Sequence, residues 1–307
     1  MKILVTGGFG FVGKSVCNLL EGKGLDYEAH SRRNGLDLRD YYETTQFIRR
    51  NNPEVIINCS AHVGSLHYVS EKAGDVIKDN TEIIVNLYNA VACYSPKTKI
   101  INPISNCSYP GDALTQKESE WLNGPVHDSV LSFASAKRLW VAVSQCYEKQ
   151  YGIQSVNFLF PNAYGIGDYT DPNKTHALNG MIMRMLKAKA NGDKTFEIWG
   201  TGKPKREWIY VGDFARMLVN AIKQPSQIYP VNVAQNEAYS IKETAEMIRD
   251  IIGYEGKLTF NTKYQDGDPI KILDNTIFKS KYPYFKFTNI EDGIRLTSKY
   301  YEKELKL

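Results

Sequence analysis

Short apolar runs alternate with longer amphipathic stretches through the first half of the chain. The runs are apolar at nearly every position, which is typical of parallel strands that are covered on both faces. The longer stretches repeat apolar residues every three to four positions, which predicts helices. The predicted strands are 2–6, 27–31, 54–59, 99–105 and 155–160, and the predicted helices are 12–21, 41–50, 73–94 and 130–151. This alternation predicts an α/β fold with a doubly wound parallel sheet.

The pattern changes after about residue 160. A loop rich in glycine, aspartate and proline occupies 165–174, and predicted helices follow among short strands at 176–190, 212–222, 241–252 and 290–305. We therefore expect residues 1–163 to form the doubly wound unit and residues 164–307 a smaller α/β C-terminal lobe that binds the substrate. A strand-like run at 229–233 is expected to return to the main sheet.

Composition and charge narrow the function classes. Hydrophobic residues make up 42% of the 307 residues and charged residues 23%, so the chain can bury a full core. The net charge of +4 is spread along the chain, which argues against a nucleic-acid partner but suits a small anionic ligand. The apolar runs are far shorter than the ~18 residues that span a bilayer, so no membrane partner is expected.

Cysteine usage and the first residues bear on the compartment. The five cysteines have no regular spacing, which argues against a disulfide framework and for a reducing cytoplasm. No group of cysteines and histidines has the spacing of a zinc site, so no metal is expected. The chain opens on a strand-like run without an apolar stretch typical of a cleavable leader. We therefore expect a cytoplasmic protein.

Glycines follow the first predicted strand at a three-residue spacing. Gly7, Gly10 and Gly13 form G-x-x-G-x-x-G between this strand and the first helix, and Phe11 and Val12 lie between the last two. Such a loop allows a tight turn, close approach of the backbone to a pyrophosphate, and a helix N-terminus directed at that anion. The strand–turn–helix context favours a dinucleotide site over a plain turn with incidental glycines.

The residues after the second predicted strand bear on which dinucleotide binds. An acidic residue there would accept the ribose 2′-hydroxyl of NAD, but this chain has Arg32 and Arg33. Guanidinium groups pair with a 2′-phosphate, so the cofactor predicted is NADP(H). The alternative is that both are solvated surface arginines. Asp37 and Leu38 follow where an adenine would lie.

A second set of chemically active residues follows the fourth predicted strand. Ser105 and Cys107 lie at its end, and Phe133 and Lys137 stand four residues apart on the predicted helix at 130–151. With the glycine loop, this order resembles the extended short-chain dehydrogenase/reductase superfamily, which carries a serine or threonine after the fourth strand and Y-x-x-x-K on a helix. The resemblance implies a Rossmann-type fold and a hydride-transfer site that includes Ser105 and Lys137.

Phe133 departs from the superfamily pattern. At this position the superfamily has a tyrosine, which gives its hydroxyl proton to the substrate carbonyl and whose pKa the lysine lowers. Phenylalanine has no such proton, and losing a general acid typically costs roughly 10²–10⁴ in rate. Three explanations remain open: an engineered substitution, a natural enzyme that uses another acid, and a natural relative without catalytic activity.

Further segments resemble the GDP-L-fucose synthases, which are GDP-4-keto-6-deoxymannose epimerase/reductases. The matching segments run in order along the chain: 61–65 with A-K-V-G-G, 161–168 with N-L-Y-G-P-G-D, 199–207 with W-G-x-G-x-P-x-R-E, and 266–274 with D-G-x-x-x-K-x-x-D. His176 and Arg184 match the H-V…R helix of that family. Two positions depart from it, because His62 replaces a lysine and Asn106 replaces a serine.

The closer resemblance implies which residues bind the substrate. Arg184, Trp199, Arg206 and Asp266 would hold a nucleotide-sugar, and the two arginines would pair with its diphosphate. Asn162 would meet the sugar or the nicotinamide. Simple packing is the alternative explanation for Trp199.

The resemblance also implies an epimerisation pair. Cys107 and His176 would be the base and the acid at C3 and C5, where protons next to a ketone are acidic enough to exchange. The alternatives are that Cys107 is a small buried residue and that His176 has a structural role at the start of its helix.

The expected function is NADPH-dependent C4 reduction of a GDP-linked 4-keto-6-deoxy hexose or heptose, with C3/C5 epimerisation left open. A nucleotide-sugar 4-epimerase is one alternative, although such enzymes recycle a tightly held NAD. A non-catalytic protein that binds dinucleotide or nucleotide-sugar is the other. The predicted helices 73–94 and 130–151 carry apolar residues on more than one face. In the resembled family such helices pair across a two-fold axis, so we expect a homodimer through a four-helix bundle.

Overall fold

The computed structural model describes residues 1–172, 174–264 and 266–307 of the chain. The strands in chain order are β1 (Ile3–Thr6), β2 (Tyr27–His30), β3 (Val55–Asn58), β4 (Lys99–Ser105), β5 (Ser155–Phe160), β6 (Asn162–Tyr164), β7 (Thr195–Trp199), β8 (Lys205–Tyr210), β9 (Gln227–Asn232), β10 (Ala238–Ser240), β11 (Lys257–Asn261) and β12 (Ile270–Lys271). The α-helices are α1 (Phe11–Gly22), α2 (Tyr41–Asn51), α3 (Leu66–Glu71), α4 (Ala73–Tyr94), α5 (Leu131–Tyr151), α6 (Ala177–Asn191), α7 (Val211–Asn220), α8 (Ile241–Ile252), α9 (Thr276–Lys281) and α10 (Ile290–Glu304).

The main sheet is parallel and has the strand order β2-β1-β3-β4-β5-β9. Helices α1 and α7 cover one face around a core that includes Val5 and Phe158. Helices α2, α4 and α5 cover the other face, where Ile56 and Trp140 are buried. Because both faces are covered, the central strands are largely apolar, as the sequence pattern predicts. The predicted Rossmann-type, doubly wound α/β fold is confirmed.

The second half of the chain builds a smaller lobe on short strands. Strand β8 lies between β10 and β12 and also pairs with β6, while β7 and β11 form a separate parallel pair. Helices α6, α8 and α10 pack together beside these strands. Strand β9 leaves the lobe and pairs with β5 of the main sheet. Because β6 spans residue 163, a boundary drawn there passes through a strand.

Buried amide side chains connect neighbouring strands of the main sheet near its carboxyl edge. Thr6 donates to Asn58 at 2.9 Å, Asn58 donates to Asn102 at 3.3 Å, and Asn102 donates to Asn157 at 3.1 Å. All of these residues are fully buried. A slip of one residue in any strand would leave polar groups unpaired in the core, so this ladder holds the strand ends in register.

Helix α3 is the main element that the sequence pattern does not predict. It is one and a half turns long, too short for a periodicity signal, and it is capped by Ser65, whose hydroxyl accepts from the amide of Tyr68 at 3.3 Å. The helix packs on the start of α5 and on the turn before it. Within the described residues, the helices lack the length and apolar character that crossing a bilayer requires.

Candidate active site

The glycine loop joins β1 to α1, and nearby backbone atoms leave no room for a side chain at Gly7 or Gly13. Gly7 has a φ of 64°, and a Cβ there would lie 2.6 Å from the carbonyl carbon of Cys59. A Cβ on Gly13 would lie 2.1 Å from the carbonyl oxygen of Gly7. Gly10 caps α1, and in the described chain no capping side chain accepts from the amides of the first turn. The loop therefore offers free N–H groups to a phosphate.

Two arginines follow β2 in a short 3-10 turn. Arg32 and Arg33 are exposed, and in the described chain neither guanidinium forms an ion pair with an acidic residue. The hydroxyl of Ser31 accepts from the amide of Arg33 at 3.2 Å and fixes the turn. Both arginines are therefore free to meet an anionic ligand.

The next residues are engaged within the protein. Asp37 accepts from the Nε and Nη2 atoms of Arg39 at 2.9 and 2.6 Å, and these bonds hold the pKa of Asp37 below its usual range. Leu38 is 3% exposed, and its side chain belongs to the core under α4. The Leu38 side chain is therefore closed to a ligand, whereas the Asp37 carboxylate stays 25% exposed beside Arg39.

Lys137 is buried in a dry position on α5. Its Nζ atom donates to the carbonyl of Pro103 at 3.1 Å and lies 3.2 Å from the centre of the Trp140 ring. The Phe133 ring centre is 5.5 Å from the same Nζ atom. Burial lowers the pKa of Lys137 to about 7, although the thiols of Cys107 and Cys59 oppose this shift. A lysine in this state exchanges protons near neutral pH.

Phe133 and Cys107 pack against each other beside this lysine. The ring of Phe133 belongs to a small apolar cluster with Cys107, Val126 and Ala134. The amide of Cys107 donates to the Ser105 hydroxyl at 3.4 Å, which brings the end of β4 to the same place. Burial raises the pKa of the Cys107 thiol. The cluster therefore brings the Phe133 ring beside Cys107 and Lys137, without a hydroxyl at position 133.

His176 is oriented by a buried carboxylate. Its Nδ1 atom lies 3.1 Å from both oxygens of Asp168, and its amide donates to Asp168 at 2.8 Å. Although burial raises the pKa of Asp168, hydrogen bonds from His176 and Asn179 hold it below its usual range. The imidazole lies 5.1 Å from the Phe11 ring of the glycine loop. Its Nε2 atom is therefore left to act at the cleft.

Aromatic rings and an arginine form a stack in the smaller lobe. The Arg184 guanidinium lies 4.5 Å from the centre of the Trp199 ring, and Tyr264 stacks on that ring at 4.9 Å. Trp199 remains 52% exposed. Burial lowers the pKa of Arg184, and in the described chain no carboxylate lies within ion-pair distance of it. The stack thus presents a desolvated positive charge beside flat aromatic surface.

A second arginine lies in the same lobe. The guanidinium of Arg206 donates to the carbonyl of Lys205 at 2.8 Å, and burial lowers its pKa. Asp266 accepts from the amide and hydroxyl of Thr201 at 2.9 and 2.6 Å, so its carboxylate is already partnered. Asn162 donates to the carbonyl of Glu207 at 3.3 Å. Of these side chains in the described chain, the Arg206 guanidinium keeps the most N–H groups that could bind an anion.

Contacts between the two units show that these residues surround one cleft. His176 meets Phe11 of the glycine loop, as described above. A Cβ at Gly267 would lie 3.4 Å from Arg206 and 3.6 Å from Leu66 of α3. Lys271, which pairs with Asp268 at 3.8 Å, opposes the raised pKa of Cys107. The glycine loop therefore lies beside His176, and Arg206 and Lys271 lie near α3 and Cys107.

Sequence reasoning missed several partners in the cleft. Trp140 under Lys137, Asp168 behind His176 and Tyr264 on Trp199 were not singled out as site residues, because each acts through a neighbour that folding brings close. A signal for Asp168 was present, since it closes a matched motif eight residues before His176. For Trp140 and Tyr264, the local pattern contains no such signal.

Comparison with known proteins identifies the relatives of this chain. Residues 3–238 match the NAD dependent epimerase/dehydratase family. A GDP-L-fucose synthase from Dictyostelium discoideum is 30% identical over 306 residues, covering 95% of this chain and 92% of that protein.

Solved structures agree in fold over almost the whole chain. A GDP-L-fucose synthetase from Naegleria fowleri bound to NADP is 26% identical with a TM-score of 0.90, covering 99% of this chain and 93% of that one. A GDP-6-OMe-4-keto-L-xylo-heptose reductase from C. jejuni shares the fold at 23% identity, with a TM-score of 0.90 and coverage of 99% and 98%.

Proposed function

The chain belongs to the NAD dependent epimerase/dehydratase family, and on this basis we propose that it reduces the C4 ketone of a GDP-linked 4-keto-6-deoxy sugar with NADPH. The observation that carries the proposal is the pair of half-buried arginines, Arg184 and Arg206. In the described chain neither has a carboxylate within ion-pair distance, and burial lowers the pKa of both. Such a pair suits the diphosphate of a nucleotide-sugar.

The dinucleotide fits the residues of the larger unit. The turn at Gly7 and Gly13 leaves no room for side chains and exposes the amides of α1, as a pyrophosphate requires. Arg32 and Arg33 would pair with the 2′-phosphate, and Lys137 would contact the nicotinamide ribose. When bound, NADPH supplies the hydride that C4 receives.

The substrate would lie between the two units. Arg184 and Arg206 would hold the diphosphate, and the exposed Trp199 would contact the nucleotide. Asn162 would bind near the sugar, and Asp266 would hold the loop of Thr201 in place. The relatives named above, which act on GDP-linked sugars, support guanosine as the nucleoside.

Epimerisation at C3 and C5 is a second step that the site could perform. Cys107 would exchange one proton and His176 the other, and Asp168 would keep the His176 proton on Nδ1. We include epimerisation in the proposal as an expected activity of the same site, independent of the group at position 133.

The absence of a hydroxyl at position 133 favours one competing function, a protein that binds both ligands without turnover. The two functions differ in one measurement. With NADPH and GDP-4-keto-6-deoxy-D-mannose, a reductase consumes NADPH, and added GDP slows the consumption. A UDP-linked 4-keto sugar is the control, and we expect it to leave NADPH unchanged. If both ligands bind but NADPH persists, even after Phe133→Tyr, the reductase proposal fails.

We also infer a homodimer in the cytoplasm. Ile77, Val85 and Tyr94 on α4 and Leu131 and Tyr151 on α5 are large apolar side chains that stay exposed in the single chain. Helices α4 and α5 pack side by side, so a second copy could cover both in a four-helix bundle. The unpaired thiols suit a reducing compartment. Sedimentation at micromolar concentration should show the dimer, and a monomer would contradict it.

A further inference from the structure

The proposed reduction needs a proton for the C4 oxygen, and Phe133 cannot supply one. Lys137 and Ser105 keep N–H and O–H groups there, but in the described chain neither is hydrogen-bonded to a carboxyl or imidazole side chain that could replace a donated proton. A donor would have to lie at the same cleft, carry an O–H or N–H group, and have a partner that restores its proton.

Asp79, His62 and Tyr68 lie in line beside the cleft, and we call them the relay. The Nδ1 atom of His62 lies 2.8 Å from Asp79 Oδ2, and its Nε2 atom lies 2.8 Å from the Tyr68 hydroxyl. Arg39 donates to the same Asp79 oxygen at 2.9 Å. Because a carboxylate only accepts, Nδ1 carries hydrogen and Nε2 faces the phenol.

A short series of contacts connects the relay to the catalytic lysine. The amide of His62 donates to the side chain of Asn80 at 3.1 Å. The carbonyl of Asn80 accepts from the Trp140 indole at 2.9 Å. The Trp140 ring in turn lies under the Nζ atom of Lys137. The His62 loop and the lysine are thus fixed relative to each other.

Helix α3, which carries the relay tyrosine, packs on the start of α5. At its other contact, a Cβ at Gly267 would lie 3.6 Å from Leu66 and 3.4 Å from Arg206. At its middle, the carbonyl of Val69 accepts from the hydroxyl of Ser132 at 3.1 Å, one residue before Phe133. The half-buried tyrosine between these contacts is therefore bounded by the lysine helix on one side and the substrate lobe on the other.

We propose that Tyr68 donates the proton that Phe133 lacks and that His62, held by Asp79, replaces it. The proposal rests on the proposed function. With His62 protonated, its Nε2–H bonds to the phenol oxygen, and the Tyr68 O–H is free to point at the substrate. The O–H bond of Tyr68 breaks as the C4 oxygen takes the proton, the Nε2 proton moves to Tyr68, and solvent reprotonates the imidazole. The hydrogen and electron pair at C4 are the cofactor's hydride.

The residue at position 62 is what makes such a relay possible. The resembled family carries a lysine there, and an ammonium group has three donors and no acceptor, so it cannot donate to a phenol and accept a replacement proton at the same time. Imidazole can accept at one nitrogen and donate at the other. The two departures of this chain, at 62 and at 133, therefore complement each other: one group is lost and a replacement is gained.

The test uses the full chain with NADPH and GDP-4-keto-6-deoxy-D-mannose. Tyr68→Phe should lower the reduction rate by roughly 10²–10⁴, the usual effect of a general acid. His62→Gln should lower it similarly, with NADPH affinity unchanged. Matched controls are Tyr42→Phe on α2 and His67→Gln on α3, whose side chains are exposed and outside the cleft. Both controls should keep the parent rate.

Substitution of Phe133 distinguishes a role of Tyr68 as proton donor from a purely structural role. Phe133→Tyr should change the rate of the parent protein less than tenfold but should restore the Tyr68→Phe variant by roughly 10²–10⁴. If Tyr68 only supports the loop, the restored hydroxyl will not rescue its loss. If Phe133→Tyr instead raises the parent rate by the full factor, the parent lacks a donor and the relay proposal is wrong.

A measurement without substrate completes the test. In ¹⁵N-histidine NMR of the ligand-free protein, the chemical shift of His62 Nε2 should change when Tyr68 becomes phenylalanine, because its hydrogen bond to the phenol is lost, and should stay the same in Tyr42→Phe. An unchanged chemical shift would overturn the relay. If neither the parent nor Phe133→Tyr consumes NADPH, the proposed function fails. If only Phe133→Tyr does, the function stands and the relay fails.

Discussion

The two sides of the cleft differ in how closely they follow the family pattern. We propose that the glycine loop with Arg184 and Arg206 forms the anion-binding side, which has the residues that the resemblance predicts. The proton-transfer side does not, because Phe133 and His62 replace a tyrosine and a lysine. Anion binding depends on backbone amides and fixed charges, which allow few substitutes. A proton, in contrast, can come from any well-placed donor, so this side can change while the overall reaction is kept.

A side chain added to the glycine loop should strongly weaken the binding of NADPH. Gly13→Ala places a Cβ 2.1 Å from the carbonyl oxygen of Gly7, so the loop must move. We expect NADPH affinity to fall by about a hundredfold or more, or about 3 kcal/mol. Gly22→Ala on the same helix is the control, since its Cβ meets open space in the described chain. Fluorescence titration measures the NADPH affinity of both variants. Equal affinities of Gly13→Ala and Gly22→Ala would contradict the role given to the glycine loop.

On the proposed proton-transfer side, the buried Lys137 should make the free energy of unfolding depend on pH. Lys137 has a pKa lowered to about 7, whereas an unfolded lysine titrates near 10.4. Between these values the unfolded chain binds more protons, so this group makes the protein more stable as the pH rises. From pH 7 to pH 10, the parent should therefore gain on the order of a few kcal/mol in free energy of unfolding relative to Lys137→Met.

Chemical denaturation at several pH values tests this expectation. Lys78→Met, an exposed lysine on α4, should follow the parent protein at every pH. If Lys137→Met also follows the parent, Lys137 is not desolvated in solution, and the contrast between the two sides loses its physical basis.

The substrate arginines should show a smaller effect that is confined to binding. Arg206→Ala removes a half-buried guanidinium, and charge-assisted contacts of this kind contribute about 1.5–3 kcal/mol. GDP should therefore bind roughly tenfold to a hundredfold more weakly, while NADPH affinity stays the same. Calorimetry measures both ligands. Arg249→Ala, on α8 and paired with Asp250, is a control that should change neither. Equal loss of both ligands would indicate unfolding rather than a lost contact.

Cofactor choice should show the smallest effect. NADPH should bind at least about tenfold tighter than NADH, because Arg32 and Arg33 are free to meet the 2′-phosphate. The double replacement by alanine should reduce this preference to near unity without weakening NADH. A parent protein that binds the two nucleotides equally, or prefers NADH, would contradict the assignment.

The long elements of the fold were predictable from the sequence. Helices α4 and α8 and strands β4 and β5 have the predicted bounds, because each is long or uniformly apolar and ends at a glycine, proline or serine. Helix α3 and the short strands of the smaller lobe were not predictable. They depend on contacts with distant elements, such as the Val69–Ser132 hydrogen bond that fixes α3 on α5.

The candidate site was predictable where residues form local motifs. The glycine loop, Lys137, and His176 with Arg184 all lie in matched segments. Pairings across the chain were not predictable, such as Asp266 with Thr201 or His62 with Asp79 and Tyr68. Local periodicity indicates which face of a helix or strand is buried. It does not indicate which distant side chain will contact that face.

The most direct test of the account is hydride transfer from labelled cofactor. The parent protein is incubated with GDP-4-keto-6-deoxy-D-mannose and NADPH that carries deuterium at both C4 positions of the nicotinamide. The account predicts a GDP-deoxyhexose with one deuterium at C4 of the sugar, detected by mass spectrometry and NMR, and a matching amount of NADP⁺. Recovery of the ketone without deuterium, by a protein that binds both ligands, would contradict it.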